Sequence, residues 1–270
     1  MSEHNYTYTD DNLSLNQAHS YDLLLQIEAN SFHYAITFNK QLLAWAENCP
    51  LQELNTPETL RDILTANYKQ TIVGLSSTGF TLVPRGLFDQ EHITDFARLL
   101  DVNNHEVVYT QPIDSQNMII YKVDTSLHNA ICNIHAERIN HKAKGWIKAI
   151  AATRPADSNL YLNIANGKVQ ILHFSNYNIR FYNHFNFNNH EELAYYTAFA
   201  AQELSLNPQE LTLILSGEVN RTDKYFTYLS EFFGQVKLSD IQVLELPAQL
   251  EPHKLLTLAA LSLCASSEEN

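Results

Sequence analysis

Glycine is scarce in this 270-residue chain, which holds seven. Loops that wrap phosphate oxygens need glycine, because a Cβ keeps the backbone N–H groups from approaching closely; neither a P-loop nor a G-x-G-x-x-G run occurs. Cysteine is rarer still. Cys49, Cys132 and Cys264 are far apart and odd in number, which argues against a disulfide framework, and with no C-x-x-C pair there is no zinc knuckle. That usage fits a reducing, cytoplasmic setting. No run approaches the ~18 consecutive apolar residues of a membrane span. The opening MSEHNYTYTDD is polar and acidic where a secretion signal is basic and then apolar, so neither a membrane nor a secreted protein is expected. Basic side chains are also in deficit, seventeen against thirty acidic for a formal charge of -13. Such a charge repels polyphosphate and makes nucleic acid an unexpected partner.

What is present is enough apolar sequence for a substantial core: 45% hydrophobic residues against 17% charged. At about 150 residues per domain the length suggests two domains. YDLLLQIEA, SFHYAITFNK and QLLAWAEN, separated at Asn-containing breaks, read as a three-stranded meander. Thr56-Pro57-Glu58 puts a capping residue, a first-turn proline and an acid ahead of LRDILTANY, which predicts a helix. Strands follow at QTIVGLSS and FTLVP. DQEHITDFARLLD then reads as a helix with Ile93, Phe96, Leu99 and Leu100 on one face. EVVYTQPI and NMIIYKV are two more strands, and Asp124 to about Ile150 reads as a helix that breaks near Gly145.

After the polar TRPADSN the pattern begins again. NLYLNIANGKVQILHFSNYNIRFYNHFNF is three strands with turns at Asn166-Gly167 and near Asn176, and Asn-Gly is a strong signal for a two-residue hairpin turn. A helix (NHEELAYYTAFAAQELSL), a strand (LTLILSGEV), a helix (TDKYFTYLSEFFG), a short strand and a closing helix complete the chain. Both halves thus share one order of elements. A meander feeding right-handed crossovers builds a mixed five-stranded sheet flanked by helices, and two such lobes make an α/β protein with a cleft. The expected division is a disordered or loosely packed leader over 1–20, a first lobe over 21–155 and a second over 156–270.

This duplicated order resembles the actin, sugar kinase and Hsp70-like ATPase superfamily, whose two ribonuclease-H-like halves hold a nucleotide between them. Three blocks narrow the resemblance: FTLVP with Leu87-Phe88-Asp89, NLYLNIANGKVQILHFSN, and FYNHFNFNNHEELAYYTAFAAQEL followed by LSGEV. From about Leu23 to Leu263 the chain is similar to an uncharacterised Bacteroidetes family known as domain of unknown function 3822. The resemblance implies an actin-like ATPase architecture and brings no activity with it. Active members of the superfamily carry Asp-x-Gly in the first hairpin of each half, the acid for magnesium or water and the glycine for phosphate. Here the first hairpin reads Gln26-Ile27-Glu28-Ala29-Asn30-Ser31 and the second Asn163-Ile164-Ala165-Asn166-Gly167, so neither is intact. The adenosine motif is reduced to the single Gly217 in Leu215-Ser216-Gly217-Glu218. Glu28, Asn163, Asn166, Gly167 and Gly217 are therefore the residues through which such a cleft would meet ATP and magnesium. None is assigned a catalytic or metal-ligating role.

Other constellations carry less. Cys132 and His135 are three apart on an expected helix, but His141 points elsewhere and no fourth metal ligand is placed, so a helix surface with scattered imidazoles is expected. The remaining histidines lack ligand spacing and read as strand and loop surface. Ser76, Ser77 and Ser216 have no G-x-S-x-G context. Lys142, Lys144 and Lys148 read as a solvated helix face, with a local basic patch for RNA as the sharper alternative. Tyr195, Tyr196, Phe199, Tyr225, Phe226, Tyr228, Phe232 and Phe233 load two helices with aromatics, most of them for the core and some for an interface. The resulting expectation is a catalytically degenerate member of the actin-like ATPase architecture, a pseudo-ATPase acting as a cytoplasmic binding or scaffold protein with another protein as partner. The alternative is an atypical nucleotide-binding protein or weak ATPase.

Overall fold

The structure, a computed structural model, describes residues 6–132, 134 and 136–265. In chain order the first half contains β1 (Tyr6–Thr9), β2 (Asp22–Ile27), β3 (Ser31–Phe38), β4 (Gln41–Pro50), α1 (Arg61–Leu64), β5 (Gln70–Leu75), β6 (Gly79–Pro84), α2 (Ile93–Ala97), β7 (Glu106–Pro112), β8 (Asn117–Asp124), α3 (Thr125–Cys132), β9 (Arg138–His141) and α4 (Ala143–Ala152). The second half contains β10 (Asn159–Ala165), β11 (Lys168–Ser175), β12 (Asn178–Asn186), α5 (His190–Glu203), β13 (Thr212–Gly217), α6 (Lys224–Phe232), β14 (Gln235–Leu238) and α7 (Pro252–Ala259).

The described residues of Met1–Lys148, Val243–Leu246 and Thr257–Asn270 form one compact unit, and Ala149–Gln242 with Pro247–Leu256 form another. The division between these units falls inside α4, and the described residues 257–265 belong to the first unit. The physical reason is packing: Gly145 of α4 lies so close to the 3-10 turn Ala260–Cys264 that an added Cβ would sit 2.3 Å from the Ala260 carbonyl oxygen. The same turn covers Gly74 of β5 through Leu261.

In the first unit the sheet order is β1-β4-β3-β2-β5-β9. β2 and β5 are parallel, paired from Asp22–Gln70 to Ile27–Leu75, and every residue after the first in each is buried. Continuous runs such as DLLLQI and QTIVGL fit a strand covered on both faces. Six strands rather than five are present because β1 pairs antiparallel with β4, and Ala18, in the 3-10 turn Leu15–Ser20, is buried; residues 1–5 of the expected leader lie outside the described residues. The strands expected at FTLVP, EVVYTQPI and NMIIYKV form a separate three-stranded sheet, β6-β8-β7, inserted between β5 and β9.

Three helix expectations are corrected. Helix α1 is only one turn and Thr56 does not cap it; the buried carboxylate of Glu53 instead fixes the segment just before it, accepting from the N–H groups of Glu58, Thr59 and Leu60 at 2.9, 3.2 and 3.0 Å. The segment 90–100 breaks into a 3-10 turn, α2 and a second 3-10 turn, and Leu99 is 72% exposed. The stretch from Asp124 to Ile150 is not one helix broken near Gly145; α3 ends at Cys132, and β9 follows as a strand parallel to β5. Helical periodicity in isolated apolar residues cannot distinguish a helix from a four-residue strand, and Ile139, taken for a helix core position, is exposed on β9.

The second unit holds one sheet in the order β12-β11-β10-β13-β14, with β10 and β13 parallel at its centre. Omitting β1, the first unit has the same order, β4-β3-β2-β5-β9. Both expected hairpin turns form, with positive φ at Asn166 (51°) and Gly167 (68°) and at Asn176 (50°) and Tyr177 (63°). A core of Leu160, Leu162, Val169, Leu193, Leu213 and Leu229, among others, lies between this sheet and α5 and α6. Helix α5 is capped by Asn189, whose Oδ1 accepts the Glu192 N–H at 2.8 Å.

Gly145→Ala is expected to lower unfolding stability by about 1–3 kcal/mol in denaturant titration, because backbone must move to admit the methyl. Gly86→Ala, where the added Cβ meets nothing within 4 Å, should stay within about 0.5 kcal/mol of the parent.

Candidate functional site

Parallel strand ends are where open α/β sheets collect their chemistry, and the first unit places a buried ion pair there. Glu28 follows β2, and Lys142 follows β9, so two residues 114 apart in sequence meet across the sheet end. Lys142 Nζ donates to both Glu28 carboxylate oxygens at 2.9 Å, and Gln26 Nε2 donates to Oε1 at 2.9 Å. The two side chains are only 11% and 15% exposed. Burial alone pushes the Glu28 carboxyl upward. The Lys142 charge, the hydrogen bonds from Lys142 and Gln26, and the charge of His33 outweigh it and hold the pKa below the ordinary glutamate value. Next to the pair, Gln26, Gly74 and Asn140 stand in register across β2, β5 and β9. Gln26 Oε1 and Asn140 Nδ2 are buried without hydrogen-bond partners.

The second unit brings together the other four residues expected from sequence. Asn163 is buried on β10, and its Oδ1 accepts from Ser216 Oγ at 3.2 Å. Asn166 and Gly167 form the β10–β11 turn; the Asn166 N–H donates to Glu218 Oε2 at 3.1 Å, and the Glu218 N–H donates to the Ile164 carbonyl at 2.7 Å. Gly217 has φ +90°, and a Cβ there would lie 2.2 Å from Ile164 O. Glycine at 217 is thus required by the protein's own backbone.

Sequence reasoning missed three partnerships. Lys142 was read as a solvated lysine, yet both Lys142 and Lys144 are buried, so the expected solvated face or basic patch with Lys148 does not form. His141 is buried rather than on a helix surface, lies between the rings of Phe80 and Tyr121, and sits 3.1 Å from Ser77 Oγ through Nε2. Its Nδ1 accepts the Ala143 N–H at 3.3 Å, so in the neutral ring Nε2 carries the proton and donates to Ser77. This is the wrong tautomer for a base that activates a serine. Cys132 is exposed and pairs with His128, whose Nε2 is 3.7 Å from Sγ and whose Nδ1 is 2.6 Å from the Tyr109 hydroxyl. The i, i+4 spacing of His128 and Cys132 was legible; their link to β7 was not. His135 lies outside the described residues. His173 and His253 are buried as well, each with Nε2 on a backbone carbonyl, of Asp157 and Val219 respectively. Among the described residues no group of three or more His, Cys, Asp or Glu could hold a metal ion.

The aromatics of α5 and α6 divide. Tyr196 stacks on Phe185 at 4.8 Å, against the core, and Phe233 is buried. Tyr195, Phe199 and Phe232 are 63%, 43% and 45% exposed, and the Tyr195 and Phe199 rings stack at 6.3 Å.

A family model described as "Protein of unknown function (DUF3822)" matches residues 10–236. The chain belongs to this family. Comparison with curated proteins gave no match. Among solved structures, this DUF3822 chain is similar to a Bacteroides thetaiotaomicron protein described as having an actin-like ATPase fold and unknown function, with 19% identity, 93% of this chain and 98% of that one covered, and a TM-score of 0.76. It is also similar to a PilM-PilN type IV pilus biogenesis complex, at 12% identity, 90% and 98% coverage and a TM-score of 0.62. The ethanolamine utilization protein EutJ from Carboxydothermus hydrogenoformans follows at 8% identity, 90% and 89% coverage and a TM-score of 0.51. The DUF3822 chain therefore has an actin-like ATPase fold, two mixed sheets flanked by helices.

Removing one partner of the buried pair should be costly: Glu28→Gln is expected to lose about 3 kcal/mol in denaturant titration at neutral pH. Because the folded pKa of Glu28 is lowered, its contribution is complete above the unfolded glutamate value and is lost as pH falls through the folded one. The variant should flatten that acid limb of the stability curve. N-ethylmaleimide on the native protein is expected to label Cys132 first. Cys49, pushed up to about 12 by burial and the nearby Glu53 charge, and the buried Cys264 should react only on unfolding, as mass mapping of the adducts would show.

Proposed function

We propose that this DUF3822 protein is a catalytically degenerate actin-like ATPase-fold protein, built from two ribonuclease-H-like lobes, that works as a cytoplasmic binding or scaffold protein with another protein as its partner. The observation that carries this reading is the exposed aromatic pair Tyr195 and Phe199 stacked on α5, with Phe232 also exposed on α6, since exposed aromatics favour protein contacts over solvent. Supporting it, the residues a nucleotide would need are already engaged within the protein. Glu28 is neutralised by Lys142, Asn163 is held by Ser216, the Asn166 N–H is taken by Glu218, and Gly217 serves a backbone contact. A chain of similar fold is described as part of a two-protein complex, PilM-PilN, which favours the same class of role.

One observation favours a second reading, in which an ATP-like nucleotide with magnesium binds near Glu28, Asn163, Asn166, Gly167 and Gly217. The partnerless Gln26 Oε1 and Asn140 Nδ2 beside Glu28 would be satisfied by a polar ligand.

The two readings separate cleanly. Under the scaffold reading, ATP with magnesium leaves the melting temperature unchanged and releases no phosphate. A photo-crosslinking residue at position 199 gives a discrete protein adduct in cells that Tyr195→Ser/Phe232→Ser abolishes without lowering the melting temperature. A saturable rise in melting temperature with ATP, removed by Asn163→Ala, establishes the nucleotide reading instead.

A further inference from the structure

Helix α5 contains three glutamates and neither lysine nor arginine. Residues 191, 195, 199 and 203 follow one another at four-residue steps, each turning only about 40° around the helix, so Glu191, Tyr195, Phe199 and Glu203 form one stripe. All four are exposed, as are Ala198 and Gln202 beside them. The centre of the stripe is a stacked pair of rings, 63% and 43% exposed, with their planes 14° apart. A carboxylate stands at each end, the two about 18 Å apart by helix rise. The Glu191 side chain is 58% exposed, with His190 Nε2 at 3.2 Å from its carboxylate. Glu203 is the last residue of the helix, where the macrodipole disfavours a negative charge and the final turn holds no basic residue to offset it. Local helix stability therefore does not account for that carboxylate.

We propose that this stripe docks a partner protein segment that carries arginines among apolar side chains, its guanidinium groups lying over the Tyr195 and Phe199 rings and pairing with Glu191 and Glu203. The proposal deepens the scaffold reading above and rests on it. Charge decides the occupant. A second copy laid symmetrically on α5 would set glutamate against glutamate, because the helix has no Lys or Arg of its own to offer. An anionic lipid surface, a nucleic acid or an acidic segment would be repelled by the same carboxylates and by the chain's formal charge of -13. The rings supply apolar contact and a face for a cation. Guanidinium suits both parts of the stripe, since it stacks flat on a ring and still donates in its own plane to a carboxylate, which a compact, strongly hydrated ammonium does less well.

The test uses the full chain and three fluorescein-labelled peptides: RLARLARRLARLAR and the same sequence with lysine or glutamate at every arginine. Fluorescence anisotropy should show one saturable site per chain for the arginine peptide, binding of the lysine peptide weaker by ~3-fold or more, and none of the glutamate peptide. Tyr195→Ser/Phe199→Ser should weaken the arginine peptide at least ~10-fold, the loss expected of ring contacts at the centre of an interface. Glu191→Gln/Glu203→Gln should weaken it by about 5- to 10-fold and make its dependence on salt shallower. Neither variant should lower the melting temperature, because all four side chains are exposed. Asp62→Asn/Glu91→Gln removes the same charge from exposed positions of the first unit and should leave the affinity within ~2-fold of the parent. An equal loss in that control pair, unchanged affinity in the ring variant, or equal binding of the lysine or glutamate peptide overturns the proposal. The scaffold reading keeps its own readout: a protein adduct at position 199 in cells without arginine-peptide binding overturns the docking chemistry alone, and the absence of both overturns the two together.

Discussion

Each unit is organised by one parallel pair of strands buried on both faces, β2 with β5 and β10 with β13. Everything else is arranged around that constraint. A parallel pair cannot be joined by a tight turn, so the chain must leave the sheet and return over a face, and the loops at the carboxyl ends of the pair are brought together whatever their sequence. Glu28 and Lys142 meet for this reason, as do Asn163, Asn166, Ser216 and Gly217. The parallel pairing also dictates composition, since strands covered on both sides read as unbroken apolar runs and leave polar residues only at their ends.

What stands at those ends differs between the units in chemistry. In the first a carboxylate and an ammonium neutralise one another inside the protein; in the second the Asn163 amide accepts from the Ser216 hydroxyl and the Glu218 carboxylate accepts the Asn166 backbone N–H. In the first unit this leaves little free charge to meet a ligand phosphate or cation. A buried pair of this kind is weak evidence of net stabilisation, because desolvation offsets most of the attraction, but once present neither partner can be removed alone. The groups with unmet capacity lie away from the second unit's turn: the exposed rings of α5 and α6, the buried and unpartnered Tyr68 hydroxyl, and two amide atoms beside Glu28.

The inserted sheet β6-β8-β7 has its own anchor. Lys122 Nζ donates to Glu106 Oε2 at 2.8 Å and Thr78 Oγ1 to Oε1 at 2.6 Å. Burial raises the Glu106 carboxyl, but the Asn103 N–H together with the Lys122 and Thr78 bonds brings it down to about 2. The anchor ties the start of the insertion to its last strand and lets β9 rejoin the parent sheet beside β5 after an excursion of more than sixty residues.

The duplicated order of elements, the hairpin turn at Asn166-Gly167 and the dearth of phosphate-wrapping glycine were legible from sequence, because each depends on residue order or on residues close together in the chain: a turn needs positive φ, and a loop without glycine cannot approach phosphate. Tertiary structure alone decided the rest. Whether IN and RI of the 138–141 segment form strand or helix depended on β5 offering an open edge. Whether Lys142 met water or Glu28 depended on how two strand ends 114 residues apart came together. Whether residues 6–9 formed a strand depended on β4 having a free edge for β1. Local conformational preference is written within a few residues, whereas pairing, burial and charge neutralisation are properties of neighbours that only folding brings into contact.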